Sequence, residues 1–146
     1  KSSDFLYKCL FNAKISNQST SNHINDGLKL KEAFITPALK CVPPEDKPLK
    51  IELDNCSKFF NNELNILKNL KVVVALGKIA FDTCKIFYKE KFDIPNEFKF
   101  GHGKIYKLEN GIKLVGCYHP SPRNVNTRRI NERMMTNLFK KVKNLN

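Results

Sequence analysis

Short apolar runs alternate along this chain with stretches of helical periodicity. Phe5, Leu6, Cys9 and Leu10 predict an amphipathic helix over Ser3–Lys14. Asn17–Gly27 is a polar loop, and its His23 reads as a surface or loop-fixing residue. Ala33–Leu39 reads as a strand, with Pro37 tolerable only near its end. Pro43, Pro44 and Pro48 stiffen the loop beyond it. Leu53, Cys56, Phe60, Leu64 and Leu67 then recur at spacings of three and four, predicting a helix over Leu49–Leu67. Lys71–Leu76 is a Val-rich buried strand bounded by Gly77, and a helix over Lys78–Lys89 follows, with Ile79, Phe81, Ile86 and Phe87 at its apolar positions. Lys104–Leu108 and Ile112–Tyr118 flank Glu109-Asn110-Gly111, a hairpin signature. Thr127–Leu145 reads as a final helix whose Ile130, Met134, Leu138 and Val142 enter the core.

Strands alternating with helices predict a layered α/β fold with a mostly parallel sheet. In such sheets ligands bind at the carboxyl ends of strands. One of those ends carries chemistry: the apolar run to Tyr118 breaks at His119-Pro120-Ser121-Pro122, and a cationic loop follows. The prolines fix φ and withhold backbone donors, so this loop is stiff. The strand–Gly77–helix junction is a second candidate, a weak anion site at a helix start; helix packing explains that glycine equally well.

Composition narrows the partner. The 146 residues suffice for one domain with a core, and 41% hydrophobic and 27% charged residues are ordinary for a globular protein. No apolar run approaches the roughly 20 residues of a membrane span. KSSDFLYKCLFNAK carries no secretion signal and no initiator Met, which suggests that the chain continues upstream of Lys1. The net charge of +12 favours nucleic acid, although the lysines are scattered and a generally lysine-rich composition accounts for them as well. The arginines say more: Arg123, Arg128, Arg129 and Arg133 are the only ones and fall within eleven residues. Arginine is the planar binder of phosphate. The five cysteines are an odd count and, without a secretion signal, indicate a reduced, intracellular setting. Cys9, Cys84 and Cys117 lie in apolar patterns and read as small core residues.

Tyr118-His119-Pro120-Ser121 with Pro122–Thr127 resembles the second active-site motif of uracil-DNA glycosylases. Asn17–Leu30, Thr36–Lys47 (TPALKCVPPEDK), Val72–Gly77 and Phe100-Gly101-His102-Gly103 resemble, in the same order, the iron–sulfur type b, or family-five, branch. The resemblance implies a three-layer α/β/α sandwich with an about four-stranded sheet, its first strand missing here. It implies an enzyme that flips uracil, or another deaminated base, out of DNA and hydrolyses the N-glycosidic bond. His119 would stabilise the departing base. Asp46, Ser121 and Asn124 would read the base, and Asp46 stands where relatives often carry Asn. Pro122, Arg123, Asn126, Arg128, Arg129, Gly77 and Lys78 would meet DNA. Cys41 and Cys56 match two of the four ligands of a [4Fe–4S] cluster, with the other two and the Gly-rich first motif expected upstream. Gly is usual where Arg128 stands. The expected protein is a monomer with no membrane partner, incomplete at its N-terminus. The rival readings are a non-catalytic nucleic-acid-binding homologue or inactive fragment, a hydrolase of small phosphorylated metabolites, and a zinc site of Cys41, Cys56, His102 and His119.

Overall fold

The computed structural model describes residues 2–36, 62 and 64–145. Its named elements are α1 (Ser2–Asn12), β1 (Val72–Leu76), α2 (Lys78–Lys89), β2 (Ile105–Lys107), β3 (Lys113–Cys117), α3 (Pro122–Asn126) and α4 (Glu132–Lys143). The described strands form one mixed, three-stranded sheet in the order β1-β3-β2. β1 and β3 run parallel with Leu76 opposite Cys117, so both strands end at the same rim. β2 returns antiparallel onto β3, because the tight turn at Glu109–Gly111 leaves no room for a crossover. Gly111 takes φ 90° there, and the Asn110 side chain accepts from the Ile112 amide at 3.1 Å.

Period-two alternation sends β1 and β3 side chains to opposite faces. Val72, Val74, Leu76, Val115 and Cys117 pack with α1 and α4 around Cys9, Leu10, Ile130, Met135 and Phe139. Val73, Ala75 and Leu114 pack with α2 around Phe81, Cys84, Phe87 and Tyr88. Helices therefore cover both faces of the sheet.

The structure corrects several expectations. The sheet is mixed rather than mostly parallel, and the described residues hold no fourth strand. Residues 33–36 carry no strand, and Phe34 and Ile35 are 60% and 41% exposed. Pro37 restricts the residue before it to extended conformations without supplying a ladder donor of its own. Residues 37–39, and most of the helix expected over Leu49–Leu67, lie outside the described residues; residues 62 and 64–66 are helical, as that helix's end requires. Ile79 and Ile86 face solvent, at 50% and 65% exposure, because the helix turns Phe81, Cys84, Phe87 and Tyr88 inward.

The final helix, expected over Thr127–Leu145, begins only at Glu132, and a separate short helix, α3, precedes it. Pro122 opens α3 after the Ser121 cap. Arg128 then adopts a left-handed φ of 61°, which ends any helix. Asn131 caps a fresh start, accepting from the Met134 amide at 2.8 Å.

Candidate active site

His119 stands just beyond β3, at the rim where β1 also ends. The Gly77 amide donates to the Cys117 carbonyl at 2.7 Å and ties the two strand ends together. Gly77 then turns into α2 with φ 97° and ψ 164°, a region open essentially to glycine alone. Its missing side chain matters for a second reason. A Cβ there would lie 3.1 Å from His119 Cβ and 3.5 Å from Cδ2. His119 thus leans on a bare glycine while remaining exposed in part. Desolvation by the protein behind it lowers the imidazole pKa below its ordinary 6.5, so the neutral ring, with one N–H donor, dominates at neutral pH.

The stiff loop holds His119 from its far side. Ser121 Oγ accepts from the Asn124 amide at 3.2 Å and caps α3. The Asn124 side-chain amide donates to the His119 carbonyl at 2.9 Å. Both polar side chains are therefore engaged in shaping the loop around His119. Thr127 Oγ1 donates to the Arg123 carbonyl at 2.9 Å and closes the turn.

The cations surround this rim. Arg123 and Arg128 are exposed, and Arg129 lies with Cζ 4.7 Å from the Tyr118 ring centre. Lys78 is exposed at the start of α2 and pairs with Asp82 one turn on. Such a surface pair is weak and exchanges readily for other partners. Pro122 and Asn126, with Phe5, Lys8, Pro120 and Val125, line an open groove of about 360 Å³ beside the loop. His119, Ser121, Asn124, Gly77, Pro122, Arg123, Asn126, Arg128 and Arg129 thus occur within or beside one strand-end rim. Asp46, Cys41 and Cys56 lie outside the described residues.

One neighbour figured in the sequence only as a rival zinc ligand. His102 Nδ1 accepts from the Tyr118 amide at 3.0 Å, and the two rings stack at 4.9 Å. The Phe100–Gly103 motif was a signal for it, but nothing in the motif reveals that it folds back against β3.

The described cysteines fit no cluster. Cys9, Cys84 and Cys117 are buried in the apolar clusters, and burial pushes the Cys84 and Cys117 thiols up to about 12 and the Cys9 thiol upward. A cluster ligand must be a thiolate. Among the described residues, no group of three or more His, Cys, Asp or Glu side chains is placed to hold a metal ion. No helix of the described residues is long and apolar enough to cross a membrane.

Comparison with known proteins decides the family. The model of the uracil DNA glycosylase superfamily matches residues 1–143. This chain belongs to that superfamily. It is 33% identical over 146 residues to a type-5 uracil-DNA glycosylase of Mycobacterium bovis, covering 99% of this chain and 54% of that protein. A type-5 uracil-DNA glycosylase of Thermus thermophilus is 33% identical over 141 residues, covering 97% of this chain and 63% of that protein. A type-4 uracil-DNA glycosylase of Archaeoglobus fulgidus is 28% identical over 99 residues, 65% of this chain and 48% of that protein. The chain spans about half to five-eighths of the length of these curated relatives.

Proposed function

We propose that this chain belongs to a base-excision glycosylase that extrudes uracil, or another deaminated base, from DNA and hydrolyses its N-glycosidic bond. One observation carries the reading: a neutral histidine stands open to solvent at a strand-end rim, backed by Gly77 and followed by a capped, arginine-bearing loop. The sequence identity to type-5 uracil-DNA glycosylases supports it.

The chemistry asks for little else from this rim. When the bond between the sugar C1′ and the base nitrogen breaks, the electron pair leaves with the base and the sugar becomes cationic. Water then adds to C1′. A preorganised donor at the base oxygen stabilises the anion where charge develops. His119 supplies that N–H. Ser121 and Asn124 fix its backbone, and Asn124 and Asp46 contact the extruded base. Extrusion costs a few kcal/mol, least at mismatched bases. The proline-stiffened loop offsets part of this by filling the gap. Arg123, Arg128 and Arg129, with Lys78, hold flanking phosphates. A [4Fe–4S] cluster on Cys41, Cys56 and upstream ligands is part of this reading, supported by the resemblance of the KCVPP segment; no step of the reaction runs through it.

The test is single-turnover excision from duplex DNA bearing one uracil, using the full-length protein and His119→Ala. The variant should lose about 10²–10³-fold in rate, the usual effect of removing one such donor, while DNA affinity changes little. An undiminished rate would remove His119 from the mechanism. Binding without any abasic product from the wild type would establish the non-catalytic homologue instead.

A further inference from the structure

His119 is held by its neighbours in sequence from both sides. Asn124 grips its carbonyl. The preceding residue, Tyr118, gives its amide proton to His102 Nδ1 at 3.0 Å. The rings of His102 and Tyr118 stack at 4.9 Å and 26°, so the contact is fixed in plane as well as in distance. His102 is itself pinned. The Gly103 amide donates to the Gly116 carbonyl at 2.8 Å, and the Gly116 amide donates to the Lys104 carbonyl at 3.0 Å. This close approach exists only because residue 116 has no side chain: a Cβ there would meet the Gly101 carbonyl oxygen at 2.4 Å.

We propose that His102 is a positioning residue for His119, acting through the Tyr118 amide and only while Nδ1 is unprotonated. The inference rests on the role of His119 proposed above. An imidazole nitrogen that accepts a hydrogen bond carries no proton, so the neutral ring holds its hydrogen on Nε2. Protonation converts Nδ1 into a donor facing the Tyr118 donor, and the contact is lost. Tyr118 then loses its anchor one residue from His119. The surroundings favour the accepting form. Burial lowers the His102 pKa from 6.5. Among the described residues, the charged groups placed near it are cations: Lys104 packs over Gly101, Lys141 lines the same shallow groove on the α4 side, and Arg129 sits on Tyr118. Among the described residues, no carboxylate lines that groove to favour an imidazolium. Excision therefore carries an acid limb that belongs to His102, separate from any titration of His119.

The experiment has a structural arm and a kinetic arm, both on the full-length protein. In the first, NMR follows the Tyr118 amide and the His102 ring from pH 8 downward; the amide resonance should move with the midpoint of the His102 ring. In the second, single-turnover excision is measured against pH for the wild type, His102→Phe and His102→Asn. Phe keeps the stack and removes the acceptor, so the maximal rate should fall about tenfold at pH 8 with KM changed less than about twofold, the size expected for one lost positioning hydrogen bond. Asn returns an acceptor that does not titrate. It should recover most of the rate and move the acid limb to lower pH, an effect that a merely structural histidine would not show. A Tyr118 amide that ignores His102 titration, a wild-type rate in His102→Phe, or an unmoved acid limb in His102→Asn would each overturn the proposal. If the wild type excises no uracil, the glycosylase reading falls by itself, and the amide titration still decides whether His102 holds Tyr118 as a proton-sensitive contact.

Discussion

Gly77→Ala tests whether the two strand ends set the position of His119. The substitution acts twice. The backbone at φ 97° and ψ 164° lies where a side chain costs about 1–3 kcal/mol. Alanine returns about 0.4–1 kcal/mol of this by restricting the unfolded chain. The net loss is on the order of 1–2 kcal/mol, a fall in Tm of about 2–4 °C per kcal/mol for a chain of this size. The new Cβ also lies 3.1 Å from His119 Cβ, so one of them must give by a few tenths of an ångström. His119 is the freer partner, since Gly77 is tied to Cys117 by its amide. A donor displaced from the developing charge loses rate steeply, about 10²-fold for a whole ångström. A tenfold loss in single-turnover excision is therefore expected, beyond what unfolding explains. Gly111→Ala is the control: its φ is 90°, but nothing lies within 4 Å of a Cβ there. It should lower Tm similarly and leave the excision rate unchanged. Equal rates for Gly77→Ala and wild type would refute the claim that Gly77 seats His119.

Gly116→Ala should destabilise the fold by about 1–3 kcal/mol, the usual cost of overpacking, because its Cβ would strike the Gly101 carbonyl at 2.4 Å; a denaturation midpoint equal to wild type would show that the loop yields freely. Arg128→Gly should stabilise slightly, by up to about 1 kcal/mol in urea titrations, since the left-handed strain relieved exceeds the flexibility gained. The same variant should lower the salt slope of DNA binding by about one if Arg128 contacts a phosphate. Stability should also fall on acidification below about pH 6.5. His102 and His119 both have folded pKa values below their unfolded value. The unfolded chain then binds more protons, and stability is lost as pH drops through the folded values. A flat urea midpoint from pH 7 to 5 in a variant retaining both histidines would contradict this.

The parts of the fold visible in sequence were those with strong local periods. Val72–Leu76 is apolar on both faces and is a strand sandwiched between the two clusters. Glu109-Asn110-Gly111 specified a hairpin, and the same turn made the sheet mixed. The final helix was misread because hydrophobic spacing survives a break. Ile130 keeps the spacing of Met134, Leu138 and Val142 although the helix starts only at Glu132, and the left-handed Arg128 before it carries no glycine to betray the break. On α2, Ile79 and Ile86 looked like core because composition does not say which stripe faces the sheet. The place of His119 at the rim was legible from where the strand run stopped. His102 was not. Its role depends on a through-space contact sixteen residues away, created by the bare backbone at Gly116.

The guanidinium on Tyr118 has a thermodynamic meaning of its own. Arg123 and Arg128 project into water, so gripping a phosphate forces each to surrender its rotamer freedom at that moment. Arg129 has already surrendered much of it against an aromatic face 4.7 Å away. On the proposed reading it would meet a phosphate as a fixed prong beside the rim, while its companions search.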